Sequence, residues 1–188
     1  MQANRNFTLF EGIRMSSVGG GGGMIPGANG TWLQAVETMG KWYEQNIHTY
    51  GGGLRECPLL PNGGKVRDDC SGFVCACLNY FGVNVPISST EYMQPGSTYA
   101  RMLEAAGFIY ESSSEFDIYS STPGDILCGP ARSHTEIFAG GRKSWGWGNI
   151  HDGIPPHPGM PSNCNPDAHG KPYIHRWRLP GMGFWPTK

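Results

Sequence analysis

The segment Asp68-Asp69-Cys70-Ser71-Gly72-Phe73-Val74 marks where this chain passes from loop to helix. Phe73, Val74, Cys77, Leu78 and Phe81 follow as an apolar run, and Gly82 supplies a stop. The pattern predicts a helix from Cys70 to about Phe81, with Cys70 in its first turn. A cysteine there faces backbone N–H groups that lack an intrahelical partner, at the positive end of the helix dipole. Both favour the thiolate, the nucleophilic form of the side chain. Gly72 leaves room for another backbone or a substrate to come close. The same residues also fit an ordinary helix start capped by Asp69, and the local sequence does not choose between the two readings.

Upstream, Thr31 can cap a helix from Trp32 to about Ile47, with Trp32, Val36, Met39 and Tyr43 at helical spacing. Gly51 to Gly53 ends it, and Leu54 to Val66, rich in Pro and Gly, reads as a surface loop. Downstream, Thr98 to Ala106 predicts a third helix closed by Gly107. The character then changes. Pro123-Gly124-Asp125 is a turn before the apolar Ile126-Leu127-Cys128. His134 to Ala139 can alternate as a strand, Gly140-Gly141 can turn it, and Arg142 to Ile150 can return. Residues 155–172 read as irregular, and Tyr173 to Leu179 as a last strand. Helices first and strands after predict an α+β fold. No internal repeat is visible.

The 188 residues suffice for one domain with a real core. A formal net charge of -1 leaves no electrostatic footprint for nucleic acid. With 29 Gly, 15 Pro and only 15% charged residues, the chain reads as loop-rich, not as a helical bundle. No apolar run is long enough to span a bilayer, and Met1 to Val18 has no signal-peptide core. Five consecutive glycines, Gly19 to Gly23, behave as a flexible linker. Residues 1–30 are thus expected to be a tail and Gly-rich linker, and 31–188 the domain. The arm reads either as the end of a preceding module or as a disordered extension.

The six cysteines are Cys57, Cys70, Cys75, Cys77, Cys128 and Cys164. Cys75 and Cys77 point in different directions from one helix and read as small core residues. A Cys57–Cys164 bridge stays open. His157, Cys164, His169 and His175 match no zinc template in their spacing. Asp68 and Asp69 diverge as neighbours, and capping accounts for one of them. Trp145 and Trp147 share a parity on the returning strand, as do His175 and Trp177 on the last; core packing is the favoured reading, with a sugar-stacking platform as the alternative.

The second informative segment is Gly124-Asp125-Ile126-Leu127 followed by Ser133-His134-Thr135-Glu136-Ile137-Phe138-Ala139-Gly140. A histidine at the start of a strand can lean over a helix N-terminus in the neighbouring layer. There it can take a thiol proton and later protonate a leaving amine. A lone strand histidine is more often structural, but here a suitable cysteine lies upstream.

Together, the Asp-Cys-Ser-Gly-Phe-Val string, Gly-Asp-Ile-Leu and His-Thr-Glu-Ile-Phe-Ala-Gly resemble the NlpC-type family of peptidoglycan endopeptidases. The similarity covers roughly Trp32 to Leu179. It implies a minimal papain-like fold, with N-terminal helices packed on a small antiparallel sheet, Cys70 as nucleophile and His134 as base. Tyr50, in His48-Thr49-Tyr50-Gly51-Gly52, resembles the family tyrosine that faces the site, where it could help hold an oxyanion. Asp69 and Ser71, flanking the nucleophile, join Tyr50 as the candidate oxyanion and substrate residues. The family's third residue is a polar side chain on the next strand that orients the imidazole. A gapless reading of the hairpin puts Gly146 there, which cannot do this. Asn149 is the nearest polar residue if the strand carries a bulge, and His151 and Asp152 follow it.

The resemblance implies hydrolysis of an amide bond in the stem peptide or cross-bridge of bacterial peptidoglycan, with no metal or organic cofactor. It also implies a virion-associated enzyme, or one released to the wall, whose N-terminal arm could meet other phage tail or virion subunits. Two alternatives stand beside it. One is an N-acetylmuramoyl-L-alanine amidase with the same machinery. The other is a catalytically silent wall-binding domain that has lost its third residue.

Overall fold

Thr31 begins the first helix with a reciprocal cap. Its hydroxyl accepts from the Gln34 N–H at 3.3 Å, and the Gln34 side chain accepts from the Thr31 N–H at 2.9 Å. Such a cap stabilises a helix by about 1 kcal/mol. It opens α1 (Trp32–Asn46), the first of three helices in a computed structural model that describes residues 30–87, 93–112, 114–115, 120–129, 134–140, 143–147 and 173–181. Helix α2 (Cys70–Phe81) starts at the cap Asp69 and ends at Gly82, whose φ of 108° suits glycine. Helix α3 (Thr98–Ala105) is capped by Ser97.

The strands are β1 (Leu54–Glu56), β2 (Lys65–Arg67), β3 (Ile109–Ser112), β4 (Ile126–Cys128), β5 (Thr135–Gly140), β6 (Lys143–Trp145) and β7 (His175–Arg178). β1 and β2 form a two-stranded ribbon, and the others a sheet in the order β3-β7-β4-β5-β6, all antiparallel. The fold is α+β, as the order of helices and strands predicted. Among the described residues no helix is long and apolar enough to cross a membrane.

Helix α2 lies at the centre. Every residue from Cys70 to Leu78 is buried. α1 packs on one side of it and β5 on another. Trp32, Met39, Tyr43, Phe73, Phe81, Ile126, Ile137 and Trp177 belong to one core cluster. A buried aromatic or aliphatic side chain contributes roughly 1.5–3 kcal/mol relative to exposure. Trp145 and Trp147 are each 5% exposed and belong to that core, as their parity predicted. Cys75 and Cys77 are also core residues. Cys57 is a buried thiol, and Cys164, its partner in the bridge left open above, lies outside the described residues.

Two indoles tie the layers together. Trp32 Nε1 donates to the Gly124 carbonyl at 2.7 Å, and Trp177 Nε1 to the Met93 carbonyl at 2.7 Å. Asp125 is buried, accepting from Arg178 Nη2 at 2.6 Å and from the Thr122 N–H at 2.8 Å. This clamp fixes the turn that feeds β4.

Three sequence readings need correction. Leu54 to Val66 is not merely loop, because it contains β1, a single 3-10 turn (Pro61–Gly63) and the first two residues of β2. All of β1 is exposed, so no alternation marked it. β3 escaped notice because it is an edge strand with only partial burial, defined by pairing with β7. The returning strand is shorter than expected. It ends at Trp145, Gly146 and Trp147 continue outside the ladder, and residues 148–150 lie outside the described residues.

Candidate active site

Cys70 occupies the first position of α2. The cap residue Asp69 accepts from the Gly72 N–H at 2.7 Å and from Ser71 Oγ at 2.9 Å, and Arg67 pairs with it at 2.5 Å. Asp69 and Ser71 therefore serve the geometry of the helix start. Their polar groups turn toward each other. Cys70 is 6% exposed, so its sulfur is mostly desolvated.

His134 immediately precedes β5, and its carbonyl accepts from the Gly129 N–H at 2.9 Å. The packing of β5 on α2 brings the ring to the helix start. The Cys70 sulfur is hydrogen-bonded to the His134 side chain, the Thr135 backbone N–H and the Tyr50 hydroxyl. Burial alone would push the Cys70 thiol up, but these bonds and the His134 charge hold it below its ordinary value. Burial likewise opposes a charged imidazole, yet the bonds to Cys70 and Glu136 push His134 up to about 10. Both shifts favour a thiolate–imidazolium pair.

Tyr50 comes from the loop after α1. That loop is tied to the segment before Cys70 by Gly51 N–H to the Asp68 carbonyl at 3.1 Å and Asp68 N–H to the Gly53 carbonyl at 2.9 Å. Trp147 Nε1 also donates to the Thr49 carbonyl at 3.1 Å. Burial, then the charge of Cys70 and the hydrogen bond to it, raise the Tyr50 phenol well above its ordinary value, so it remains a donor. The phenol oxygen also accepts from the Cys70 backbone N–H. Asp68, buried beside this loop, accepts from Thr49 Oγ1 at 2.7 Å.

The far nitrogen of the histidine is engaged by a residue that sequence reasoning passed over. His134 Nε2 lies 2.8 Å from Glu136 Oε1. Glu136 is buried; its other oxygen accepts from Ser144 Oγ at 2.6 Å. Burial would raise this carboxyl, but His134, Ser144 and Tyr173 hold it below its ordinary value. The signal was available in the sequence: positions 134 and 136 lie two apart and so on one face of an extended strand. Asn149, His151 and Asp152 lie outside the described residues, as do His157, Cys164 and His169. His175 pairs instead with the Tyr110 hydroxyl at 2.8 Å.

The structure thus brings together Cys70, His134 and Tyr50 and adds Glu136. No protein-family model matches the chain, no curated protein is significantly similar to it, and no solved structure matches it.

Proposed function

We propose that this chain is a cysteine peptidase with a minimal papain-like arrangement, cutting an amide bond in the peptide part of bacterial peptidoglycan. The observation that carries it is the hydrogen bond between Cys70 and His134 at a helix N-terminus, with the thiol lowered and the imidazole raised. Substrate class rests on the resemblance to NlpC-type enzymes.

With Nε2 engaged by Glu136, proton exchange with the thiol falls to Nδ1. The Cys70 thiolate attacks the amide carbon and forms a C–S bond. The oxyanion is held by backbone N–H groups at the start of α2 and by Tyr50. His134 gives its proton to the amine nitrogen as the C–N bond breaks. It then takes a proton from water, which attacks the thioester carbon and releases Cys70. The ground for a silent domain was a missing third residue, and Glu136 at Nε2 argues against that reading.

The test is turbidity loss of purified bacterial cell walls, wild type against Cys70→Ala. Clearing by the wild type alone is expected, and equal clearing by both rejects the proposal. Mass analysis of the fragments then reads the bond. An endopeptidase splits the stem or cross-bridge, whereas an amidase releases the stem whole from its sugar.

A further inference from the structure

We propose that Glu136 is the positioning residue of His134, taking from the same strand the place that the resemblance expects on the next strand, and that position 146 is glycine to make room for it. This inference rests on the reading of Cys70 and His134 as a working pair.

Three observations carry it. The carboxylate contacts His134 at the nitrogen an orienting group must hold, at 2.8 Å. It is itself held, because Ser144 Oγ donates to Oε2 at 2.6 Å, and the nearby Tyr173 helps keep the carboxyl low. A carboxylate fixed in this way keeps the ring from rotating away from the thiol. The third observation is the glycine. Ile137 pairs with Trp145 at the end of the ladder, and Gly146, one step beyond it, lies beside Glu136. A Cβ at 146 would lie 3.0 Å from Glu136 Cγ and 3.5 Å from Cδ and Oε1. Any side chain there would compete with Glu136 for the space beside the imidazole. The residue that looked like a loss is thus the steric partner of a gain.

The exchange has a chemical consequence. A neutral amide would orient the ring only, whereas a buried carboxylate also stabilises its positive charge. Among the described residues, the titratable and charged groups around this centre are few. Cys70 faces His134 from α2, and Glu136 faces it from β5. Tyr50 faces Cys70 from the loop after α1, with Asp69 acting on Tyr50. Tyr173, beside β7, faces Glu136 together with the hydroxyl of Ser144 on β6.

The experiment follows alkylation of Cys70 by iodoacetamide against pH, read from the mass of the Cys70 peptide, and needs no substrate. The proteins are the full chain and its Glu136→Gln, Glu136→Ala and Glu136→Ala/Gly146→Asn variants. Wild type is expected to react with an inflection well below that of free cysteine. One unit of imidazole basicity lost lowers the ion-pair equilibrium constant about tenfold, so Glu136→Ala should lose rate near neutral pH, by up to about tenfold, with its inflection moved toward that of free cysteine. Glu136→Gln should fall between. The double variant removes the atoms a Cβ at 146 would meet and offers an amide from the next strand, so part of the rate should return. Wild-type rates in folded Glu136→Ala and Glu136→Gln overturn the proposal, as does a folded double variant with no recovery. If Glu136→Ala fails to fold, the near-isosteric Gln variant decides. A wild type that alkylates like free cysteine instead overturns the Cys70–His134 reading, and this inference with it.

Discussion

Gly72 sits in the first turn of α2 directly against the backbone of Arg67, where a Cβ would overlap the Arg67 carbonyl oxygen and carbon and the Arg67 side chain. The atoms in the way are mainly backbone, so they cannot swing aside. The approach lets the chain double back just before Cys70, with Tyr43 Oη donating to the same carbonyl at 2.9 Å. Gly72→Ala should therefore move the start of α2 and with it Cys70. Overpacking of this kind costs typically 1–3 kcal/mol. Urea unfolding should show that loss, and the surviving native protein should alkylate at Cys70 more slowly.

Tyr50 offers its hydroxyl to the Cys70 sulfur. Tyr50→Phe removes that donor while keeping the ring. The thiol should move up, and removal of the proposed oxyanion donor should lower kcat roughly 100-fold with little change in KM. Wall-clearing kinetics and the alkylation profile measure the two effects separately.

The pH dependence follows from the same cluster. The proposed activity should show an acid limb set by the lowered Cys70 thiol and an alkaline limb set by His134 near 10. Stability carries the same signature. His134 rises from 6.5 to about 10 on folding, so its contribution is full below 6.5 and is lost as pH climbs through about 10. Glu136 falls below 4.5 on folding, so its contribution is present above 4.5 and is lost as the pH drops through its lowered folded value. Melting midpoints of wild type and His134→Ala should differ most between these limits, and the gap should narrow above about 10 and again in acid as Glu136 protonates.

Trp32 is fully buried, and its N–H bond to Gly124 joins α1 to the turn before β4. Trp32→Phe leaves the Gly124 carbonyl without this donor and opens a cavity. The expected cost is about 2 to 4 kcal/mol, from the lost bond and the lost volume together. Chemical denaturation checks it.

Asp125 is 1% exposed, with Arg178 at 2.6 Å and Arg176 at 3.9 Å. Asp125→Asn removes the buried carboxylate that accepts from the partly exposed Arg178, while Arg176 keeps Glu111, at a cost of about 1.5–3 kcal/mol. Where the variant is folded, Cys70 should alkylate as in wild type, since the clamp belongs to the sheet and not to the thiol.

The sequence by itself determined what is local. Thr31, Asp69 and Gly82 marked helix ends through side-chain caps and a left-handed residue. The apolar run after Cys70 placed it in the first turn of a helix. The succession of helical and strand patterns also marked the α+β class. Only the tertiary structure decided the rest, because each remaining feature depends on a partner distant in the chain. β3 exists by pairing with β7, and β1 by pairing with β2. Cys70 meets His134 because β5 packs on α2. Glycine at 146 reads as a deficit along the strand. In the fold it is the space beside Glu136, and a string of residues does not display that space.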